Sequence, residues 1–284
     1  MSYVKPTEVL ETMIENGANK ANSSAMQTII RGSLGGAILA CATTLAFTAT
    51  AQTGLGIVGA ILFPVGFIII VLLGLELVTG NFALIPLSVL EKKTTFTRML
   101  ANYGYSILGH LIGCSFYALL YIIVITNMWS KMDAPMIQNL INVAEAKTLG
   151  YKSLGSEGIL LVFVKAILCN WMVTLGVVMA LTSKSTGGKI FAMWLPILIF
   201  FAQGFEHAVV NMFVIPAGMI LGANVSVGDW WFWNQIPVLI GNFAGGAVFT
   251  GLLLYLSHKK GTTIFPRKLQ VVKSELQQEK NGVL

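Results

Sequence analysis

The sequence is short of charge. Of its 284 residues, only 11% are Asp, Glu, Lys or Arg, whereas 55% are hydrophobic. Soluble domains carry about 25% charged residues, so the composition excludes a soluble globular protein. The net charge of +6 does not indicate a nucleic-acid partner, because the lysines and arginines lie between long apolar segments, where membrane topology explains them. The composition predicts an integral membrane protein surrounded by lipid.

Cysteine pairs, metal-binding spacings and enzyme motifs are missing as well. The three cysteines, Cys41, Cys114 and Cys169, lie in apolar stretches without CxxC or Cys/His spacing, which favours inert packing. The motifs GxSxG, HExxH and the P-loop do not occur. We therefore expect no metal, no cofactor and no catalytic residues.

Long apolar segments are abundant. A spanning helix needs roughly 20 mainly apolar residues, and the second and fifth segments exceed that length while each contains an internal Gly, Glu and Pro. We expect an all-α integral membrane protein with six transmembrane helices, of which the second and fifth are interrupted. The predicted spans are residues 28–49, 56–90, 100–125, 158–181, 190–221 and 235–256.

The basic residues predict the orientation of the chain. They cluster after the second and fourth segments and in the C-terminal tail, as in cytoplasmic loops. We therefore expect both termini in the cytoplasm, in a multi-pass protein of the cell (plasma or inner) membrane. Before the first span, Val9, Leu10, Met13 and Ile14 have the spacing of an amphipathic helix lying along the membrane surface. The predicted divisions are this helix (1–26), the transmembrane domain (27–257) and a basic cytoplasmic tail (258–284).

A motif recurs in the two interrupted segments. Three spans are an odd number of crossings, so a second copy of such a unit enters the membrane upside down. The pattern therefore predicts an inverted three-span repeat with discontinuous helices near the membrane centre. The residues that match at identical spacing are Gly74-Leu75-Glu76, Asn81 and Ile85-Pro86 in the first copy, and Gly204-Phe205-Glu206, Asn211 and Ile215-Pro216 in the second.

Two glutamates lie at the predicted helix breaks. An ionisable group at this depth is costly and needs a partner or a watery cavity, and a break frees backbone N–H groups that lipid cannot satisfy. We expect Glu76 and Glu206, with Asn81 and Asn211, to have structural roles there, each carboxylate accepting the freed N–H groups. A proton relay or a role in permeation is the alternative for the glutamates.

His207 and Thr79 lie in the second and first break, respectively. Helix N-termini offer N–H donors and a partial positive charge, which attract an anion and disfavour an imidazolium. We therefore expect His207 to be neutral at rest and to belong to the pathway, although a lone histidine in an apolar segment is usually a core residue. The Thr79 hydroxyl is expected to donate to an anion or to cap the following helix. His110 matches Asn242 of the second copy, and we expect it to form interhelical hydrogen bonds.

One stretch of the sequence resembles the signature of the formate/nitrite transporter family. It runs from Gly204-Phe205-Glu206-His207 through Asn211-Met212-Phe213 to Ile215-Pro216. Two further segments are also similar to family segments: Cys169-Asn170-Trp171-Met172-Val173 and Leu77-Val78-Thr79. The resemblance extends from about Lys5 to Ser257. It implies an aquaporin-like fold with six spans per protomer and a homopentamer with one pore in each protomer.

The resemblance also implies roles for single residues. His207 is similar to the central pore histidine, Asn170 to a pore-lining amide near it, and Leu77, Val78 and Thr79 to the loop that interrupts the second span. His110 departs from the family pattern, which has Asn there, and Lys152 matches the basic residue of the outer mouth only loosely. The residues near the positions of apolar constrictions are Phe63, Phe67, Val173 and Phe200.

A monovalent anion is the solute that these features favour, with formate first and with or without a coupled proton. Nitrite, hydrosulfide and lactate stay open within the same class. A neutral-solute channel on an aquaporin-like fold is the main rival, although the sequence lacks the Asn-Pro-Ala tripeptide of aquaporins. A membrane-embedded enzyme is a third class, which the absence of catalytic motifs disfavours.

Overall fold

The computed structural model describes residues 3–259, and these residues are mostly helical. The predicted tail therefore lies outside the described residues from position 260 onward. In chain order the helices are α1 Pro6–Ala21, α2 Ala25–Thr53, α3 Gly56–Leu72, α4 Val78–Leu90, α5 Phe96–Ile125, α6 Pro135–Lys152, α7 Ser156–Leu181, α8 Thr186–Ala202, α9 Ala208–Leu221 and α10 Val227–His258. Helix α3 turns at Phe63, and α10 contains π-helical turns at Trp231–Gln235 and Gly245–Leu252.

Within residues 3–259, four helices are long and apolar enough to cross a membrane: α2, α5, α7 and α10. The predicted second and fifth spans are each divided into two shorter apolar helices, α3 with α4 and α8 with α9. The prediction that these two segments are interrupted is therefore confirmed. The count of six spans stays a prediction, since it requires each divided pair to complete one crossing.

Both interruptions have the same backbone conformation. Gly74 and Gly204 follow the first helix of each pair with φ of +63° and +64°, a left-handed conformation that glycine adopts without the steric cost of a Cβ atom. Leu77 and His207 are extended and are the N-cap residues of α4 and α9. The recurring glycine of the sequence motif thus ends the first helix of each pair.

The apolar stripe of helix α1 covers protein rather than lipid. Val9, Leu10, Met13 and Ile14 are buried, and they pack against α4 and α7. A Cβ atom at Gly17 would clash with the Leu84 carbonyl, so this glycine permits the close approach of α1 to α4. The periodicity could not distinguish these surfaces, because the apolar stripe of an amphipathic helix fits a protein face as well as lipid. The location of α1 along the membrane surface stays a prediction.

Helix α6 was not predicted, because its charges resemble those of a solvated loop. Its buried residues Ile137, Leu140 and Ala144 have helical spacing and form the side that packs on α9. Gly218 of α9 permits this contact, because a Cβ atom there would clash with Ala144. Helix α6 thus packs on α9 in the second half as α1 packs on α4 in the first.

Glycines also bring α5 against α2 and α10 against α7. A Cβ atom at Gly109 would approach the Ile29 carbonyl at 2.5 Å, and one at Gly241 would approach the Phe163 carbonyl at 2.6 Å. Both distances are shorter than a carbon–oxygen contact, so the backbones pack closely only because these positions lack side chains. This packing brings His110 and Asn242, each one residue after such a glycine, to the two helix breaks.

Candidate functional site at the two helix breaks

The first turns of α4 and α9 contact each other through Thr79 and His207. Thr79 Oγ1 lies 3.1 Å from His207 Nε2, and both side chains are buried. The hydrogen bond joins the two halves of the chain at the breaks that the repeat predicted. The positive ends of two short helices therefore meet at one polar contact.

The partners of the His207 ring define its tautomer. His207 Nδ1 accepts a hydrogen bond from the Val210 backbone N–H at 3.3 Å and so caps α9. A nitrogen that accepts carries no proton, so in the neutral ring the proton is on Nε2 and is donated to Thr79 Oγ1. An imidazolium would place an Nδ1–H against the Val210 N–H, so the cap favours the neutral ring.

Side chains of α5 and α10 satisfy the freed backbone N–H groups. The Val78 N–H donates to His110 Nε2 at 3.0 Å, and the Ala208 N–H donates to Asn242 Oδ1 at 2.9 Å. Val78 and Ala208 are the first residues of α4 and α9, so the two bonds occupy matching places. The interhelical hydrogen bonding expected of His110 is confirmed, since its Nδ1 also lies 2.8 Å from the Gly32 carbonyl of α2.

The glutamates have different partners from those expected. Within residues 3–259, the hydrogen bonds and ion pairs of Glu76 and Glu206 come from side chains and not from the freed N–H groups. Our assignment of these N–H groups to the carboxylates was wrong. His110, His207 and Asn242 lie closer to the helix starts, and neutral acceptors satisfy an amide without burying another charge.

Each glutamate is paired with a lysine from a peripheral helix. Lys20 Nζ of α1 lies 3.1 Å from Glu76 Oε2, and Lys147 Nζ of α6 lies 2.8 Å from Glu206 Oε2. The Tyr151 hydroxyl donates to Glu206 Oε1 at 2.7 Å. Because each carboxylate is buried and paired, it presents little net negative charge to a solute at the breaks.

Asparagines extend both clusters in the same pattern. Asn81 Nδ2 donates to Glu76 at 2.7 Å and to Asn102 at 2.9 Å, while Asn211 Nδ2 donates to Glu206 at 2.9 Å and to Asn234 at 2.8 Å. The next two bonds also match, since Asn102 donates to the Lys20 carbonyl and Asn234 to the Lys147 carbonyl.

Four residues that belong to these hydrogen-bonded clusters were not identified from the sequence: Lys20, Lys147, Asn102 and Asn234. A signal existed for the asparagines, because Asn102 precedes His110 by the same distance as Asn234 precedes Asn242. The lysines lie on peripheral helices and had no such signal. Lys152, the residue suggested for the outer mouth, forms an ion pair with Asp229 at 2.7 Å and is half exposed.

Asn170 connects the first break to α10. Its Nδ2 donates to the Thr79 carbonyl at 3.0 Å and to the Asn242 carbonyl at 2.6 Å. Its Oδ1 is buried without a hydrogen-bond partner in the part of the chain that the structure describes. Asn170 thus lies beside the Thr79–His207 contact and holds the backbone that positions the Thr79 hydroxyl.

Apolar side chains surround the polar contact. The Phe200 ring stacks on the His207 imidazole with centroids 5.6 Å apart, and Phe63 packs edge-on against Phe200 at 5.6 Å. Val173 is buried in the same apolar cluster. Phe67 and Leu77 line a cavity beside the first break. Val78 is buried, and its backbone rather than its side chain contacts His110.

The cavity beside the first break has a basic lining. Its volume is about 350 Å³, and its wall includes Lys20, Arg31 and Lys189. Glu76 is the acidic residue of this wall and is already paired with Lys20. A cavity whose lining has a net positive charge concentrates anions, so this lining favours an anion over a cation.

Two interrupted helices that meet at a buried polar contact, within a bundle of long apolar helices, are typical of a membrane channel or transporter. Comparison with known proteins places the chain within that class. The family model for the formate/nitrite transporter matches residues 7–256, so the chain belongs to the formate/nitrite transporter family. Its relatives are transporters and channels rather than enzymes, and it is an integral membrane protein.

Several relatives are similar over nearly their full length. The chain is 34% identical to the uncharacterized transporter YrhG of Bacillus subtilis, over 92% of this chain and 96% of that protein. It is 30% identical to the formate channel BtFdhC of Bacillus thuringiensis, over 92% of this chain and 98% of that protein. The expected family resemblance is therefore confirmed.

Solved structures confirm the fold class. An ion channel of the same family has a TM-score of 0.71 at 26% identity, covering 88% of this chain and 99% of its own. A pentameric formate channel with formate bound has a TM-score of 0.67 at 24% identity, covering 83% and 98%, respectively.

Proposed function

We propose that each protomer conducts a small monovalent anion, with formate as the preferred solute, past the Thr79–His207 contact. The observation that carries this proposal is the 3.1 Å contact between these two side chains at the starts of α4 and α9. It places hydrogen-bond donors and two positive helix ends where a solute would lose its water. The formate channel of Bacillus thuringiensis among the relatives supports formate over the other anions.

The donors at this point suit an anion. His207 Nε2–H points to Thr79 Oγ1, and the Thr79 hydroxyl has no second partner in the described residues, so its proton is available to a solute. An anion leaving water loses hydration that several such donors together replace. A cation would face the positive ends of α4 and α9 and the lysines of the basic cavity. The arrangement therefore selects by charge.

In this proposal His207 also couples the anion to a proton. The Val210 cap opposes the imidazolium when the site is empty, whereas a bound anion stabilises it as a counter-ion. A hydronium ion at the entry side would transfer a second proton to His207 Nδ1, which opens the Val210 cap, makes the imidazolium and leaves water. One ring N–H bond then breaks as an O–H bond forms on formate, so that formic acid leaves and the ring is neutral again. The cap re-forms once the remaining ring proton is on Nε2. In this scheme the solute crosses the apolar side chains of Phe200 and Phe63 without charge.

Purified protein in liposomes tests this function. We expect uptake of labelled formate that increases when the outside is made acidic, and competition by nitrite stronger than competition by glycerol. Uptake of glycerol or water without formate flux would instead support the neutral-solute channel. Flux of nitrite, hydrosulfide or lactate exceeding that of formate would keep the anion pathway and change the solute.

We further propose a homopentamer in the cell membrane with both termini in the cytoplasm. The pentameric assembly of the formate channel with the similar fold supports the first point, and the basic links support the second. Large apolar side chains such as Leu34, Phe116 and Leu195 face outward, where lipid or a neighbouring protomer would cover them. Labelling of single cysteines in intact cells tests the orientation: position 229 is expected to react from outside and position 98 only after permeabilisation.

A further inference from the structure

His110 occupies in the first half of the chain the place that Asn242 occupies in the second. His110 Nε2 accepts from the Val78 N–H at 3.0 Å, and Asn242 Oδ1 accepts from the Ala208 N–H at 2.9 Å. Each side chain also bonds a carbonyl of the preceding long helix, Gly32 of α2 at 2.8 Å and Ala166 of α7 at 2.8 Å. The geometry is therefore duplicated, but one of the two residues can gain a proton and the other cannot.

Both partners of the His110 ring are backbone groups with fixed roles. The Gly32 carbonyl can only accept, so Nδ1 must carry a proton, and the Val78 N–H can only donate, so Nε2 must be unprotonated. Only one of the three forms of the ring, the neutral Nδ1–H tautomer, satisfies both bonds. A second proton would place Nε2–H against the Val78 N–H and would break the bond that holds the start of α4.

Val78 directly precedes Thr79, whose hydroxyl contacts His207. We infer that His110 is a positioning residue for the anion pathway: it holds the first break through Val78, and protonation of its ring releases that break. The inference rests on the proposed function only where anion flux is the measured quantity. His110 itself does not line the basic cavity and is fully buried, so it acts through the backbone rather than by contact with the solute.

The surroundings of His110 contain few titratable groups. Helix α2 faces it with glycines, including Gly35 and Gly36. Cys114, on the same helix, donates to the Gly36 and Val209 carbonyls. Glu76 of the first break, paired with Lys20 of α1, and His207 of the second break are the other titratable groups nearby. Because Glu76 is already paired, the described residues offer His110 no free carboxylate, and its protonation would release the break rather than form a new ion pair.

Two substitutions separate acceptance of the hydrogen bond from titration. His110→Asn provides the acceptor that the second half uses naturally, so we expect formate flux at neutral pH within about threefold of wild type. His110→Leu leaves the Val78 N–H unpaired, and we expect flux to fall roughly 10-fold or more, the factor that an unpaired buried donor implies. Equal flux in the Asn and Leu variants, at equal amounts of reconstituted protein, would overturn the positioning role.

The pH profile tests the release of the break. Effects of acid on formate and on His207 are common to both proteins, so the quantity to measure is the ratio of wild-type flux to His110→Asn flux. We expect this ratio to be constant near neutral pH and to decrease on acidification, because only the histidine loses its acceptor when it is protonated. A ratio that does not change down to the pH at which the protein unfolds would refute the pH-dependent release.

A spectroscopic measurement is independent of transport. The protein has three histidines. When they are labelled with ¹⁵N, the NMR signals that are absent from the His110→Asn variant belong to His110. We expect a protonated Nδ1 and an unprotonated, hydrogen-bonded Nε2 at neutral pH. The opposite tautomer would contradict the inference even if formate is transported. If the protein transports no anion while this tautomer is found, the proposed function fails and the assignment of His110 to the break still stands.

Discussion

Thr79 Oγ1 and His207 Nε2 lie 3.1 Å apart, although 128 residues separate them in the chain. This contact depends on both helix breaks, because each residue belongs to the first turn or the cap of the second helix in its pair. Neither half of the chain forms it alone. The solute pathway that we propose therefore requires both copies of the repeat to be correctly folded.

The hydroxyl of Thr79 is expected to be necessary for flux. Thr79→Val keeps the shape of the side chain and removes the hydroxyl, whereas Thr79→Ser keeps the hydroxyl. We expect the Val variant to transport formate about 3–10 times more slowly than the Ser variant, because a lost hydrogen bond corresponds to roughly 1 kcal/mol. Uptake by liposomes containing equal amounts of protein measures the difference. Similar rates for the two variants would mean that the hydroxyl only fills space.

Lys147 is expected to contribute more to stability than a surface lysine does. Lys147→Met leaves the buried Glu206 carboxylate without its cation, and breaking such a pair costs about 2–4 kcal/mol when the lysine is partly exposed. The control is Lys152→Met, which breaks an exposed ion pair with Asp229 and should cost less than about 1 kcal/mol.

Thermal denaturation of the purified proteins compares these variants. In the double variant Lys147→Met with Glu206→Gln, the unpaired charge is absent, so part of the stability should return. Glu206→Gln alone should be milder than Glu206→Ala, because the amide oxygen still accepts from Tyr151. If Lys147→Met and Lys152→Met lower the melting temperature equally, the buried pair has no special role in stability.

The breaks were predictable, and their partners were only partly so. A left-handed glycine and a buried glutamate must recur wherever the same break recurs, so Gly74 and Gly204 were located from spacing alone. The acceptors of the freed N–H groups were assigned wrongly, because a carboxylate, an imidazole and an amide can all accept, and spacing does not say which lies nearest to Val78 or Ala208. Lys20 and Lys147 were missed because lysines on amphipathic helices resemble solvated charges in a sequence.

The stability of the folded protein should depend on pH through Glu91, which lies at the end of the bundle that we propose to be cytoplasmic. The hydrogen bond from Tyr255 and the nearby Lys259 hold the pKa of the Glu91 carboxyl below its ordinary value of 4.5. A carboxyl with a lowered pKa in the folded protein stabilises the fold above its ordinary pKa, and this stabilisation is lost as pH falls through the lowered value. Glu91→Gln should therefore reduce the melting temperature at neutral pH by less than Lys147→Met does, and the difference from wild type should disappear in acid. A constant difference at all pH values would exclude the charge of Glu91 as its cause.

The exchange of His207 for Asn separates two mechanisms of anion transport. Asparagine is a good N-cap residue, so Asn at position 207 can still accept from the Val210 N–H and keep α9 in place. It cannot take up a second proton, so it cannot pass one to a bound anion. We therefore expect His207→Asn to fold and assemble normally, to lose proton-coupled formate uptake and to retain some uncoupled anion current. Formate uptake and current, measured in the same liposomes with and without a proton gradient, distinguish the two modes. His258→Asn is the matched control, because that histidine ends α10 away from the breaks. Proton-coupled uptake that is as fast in His207→Asn as in His258→Asn would rule out His207 as the proton donor.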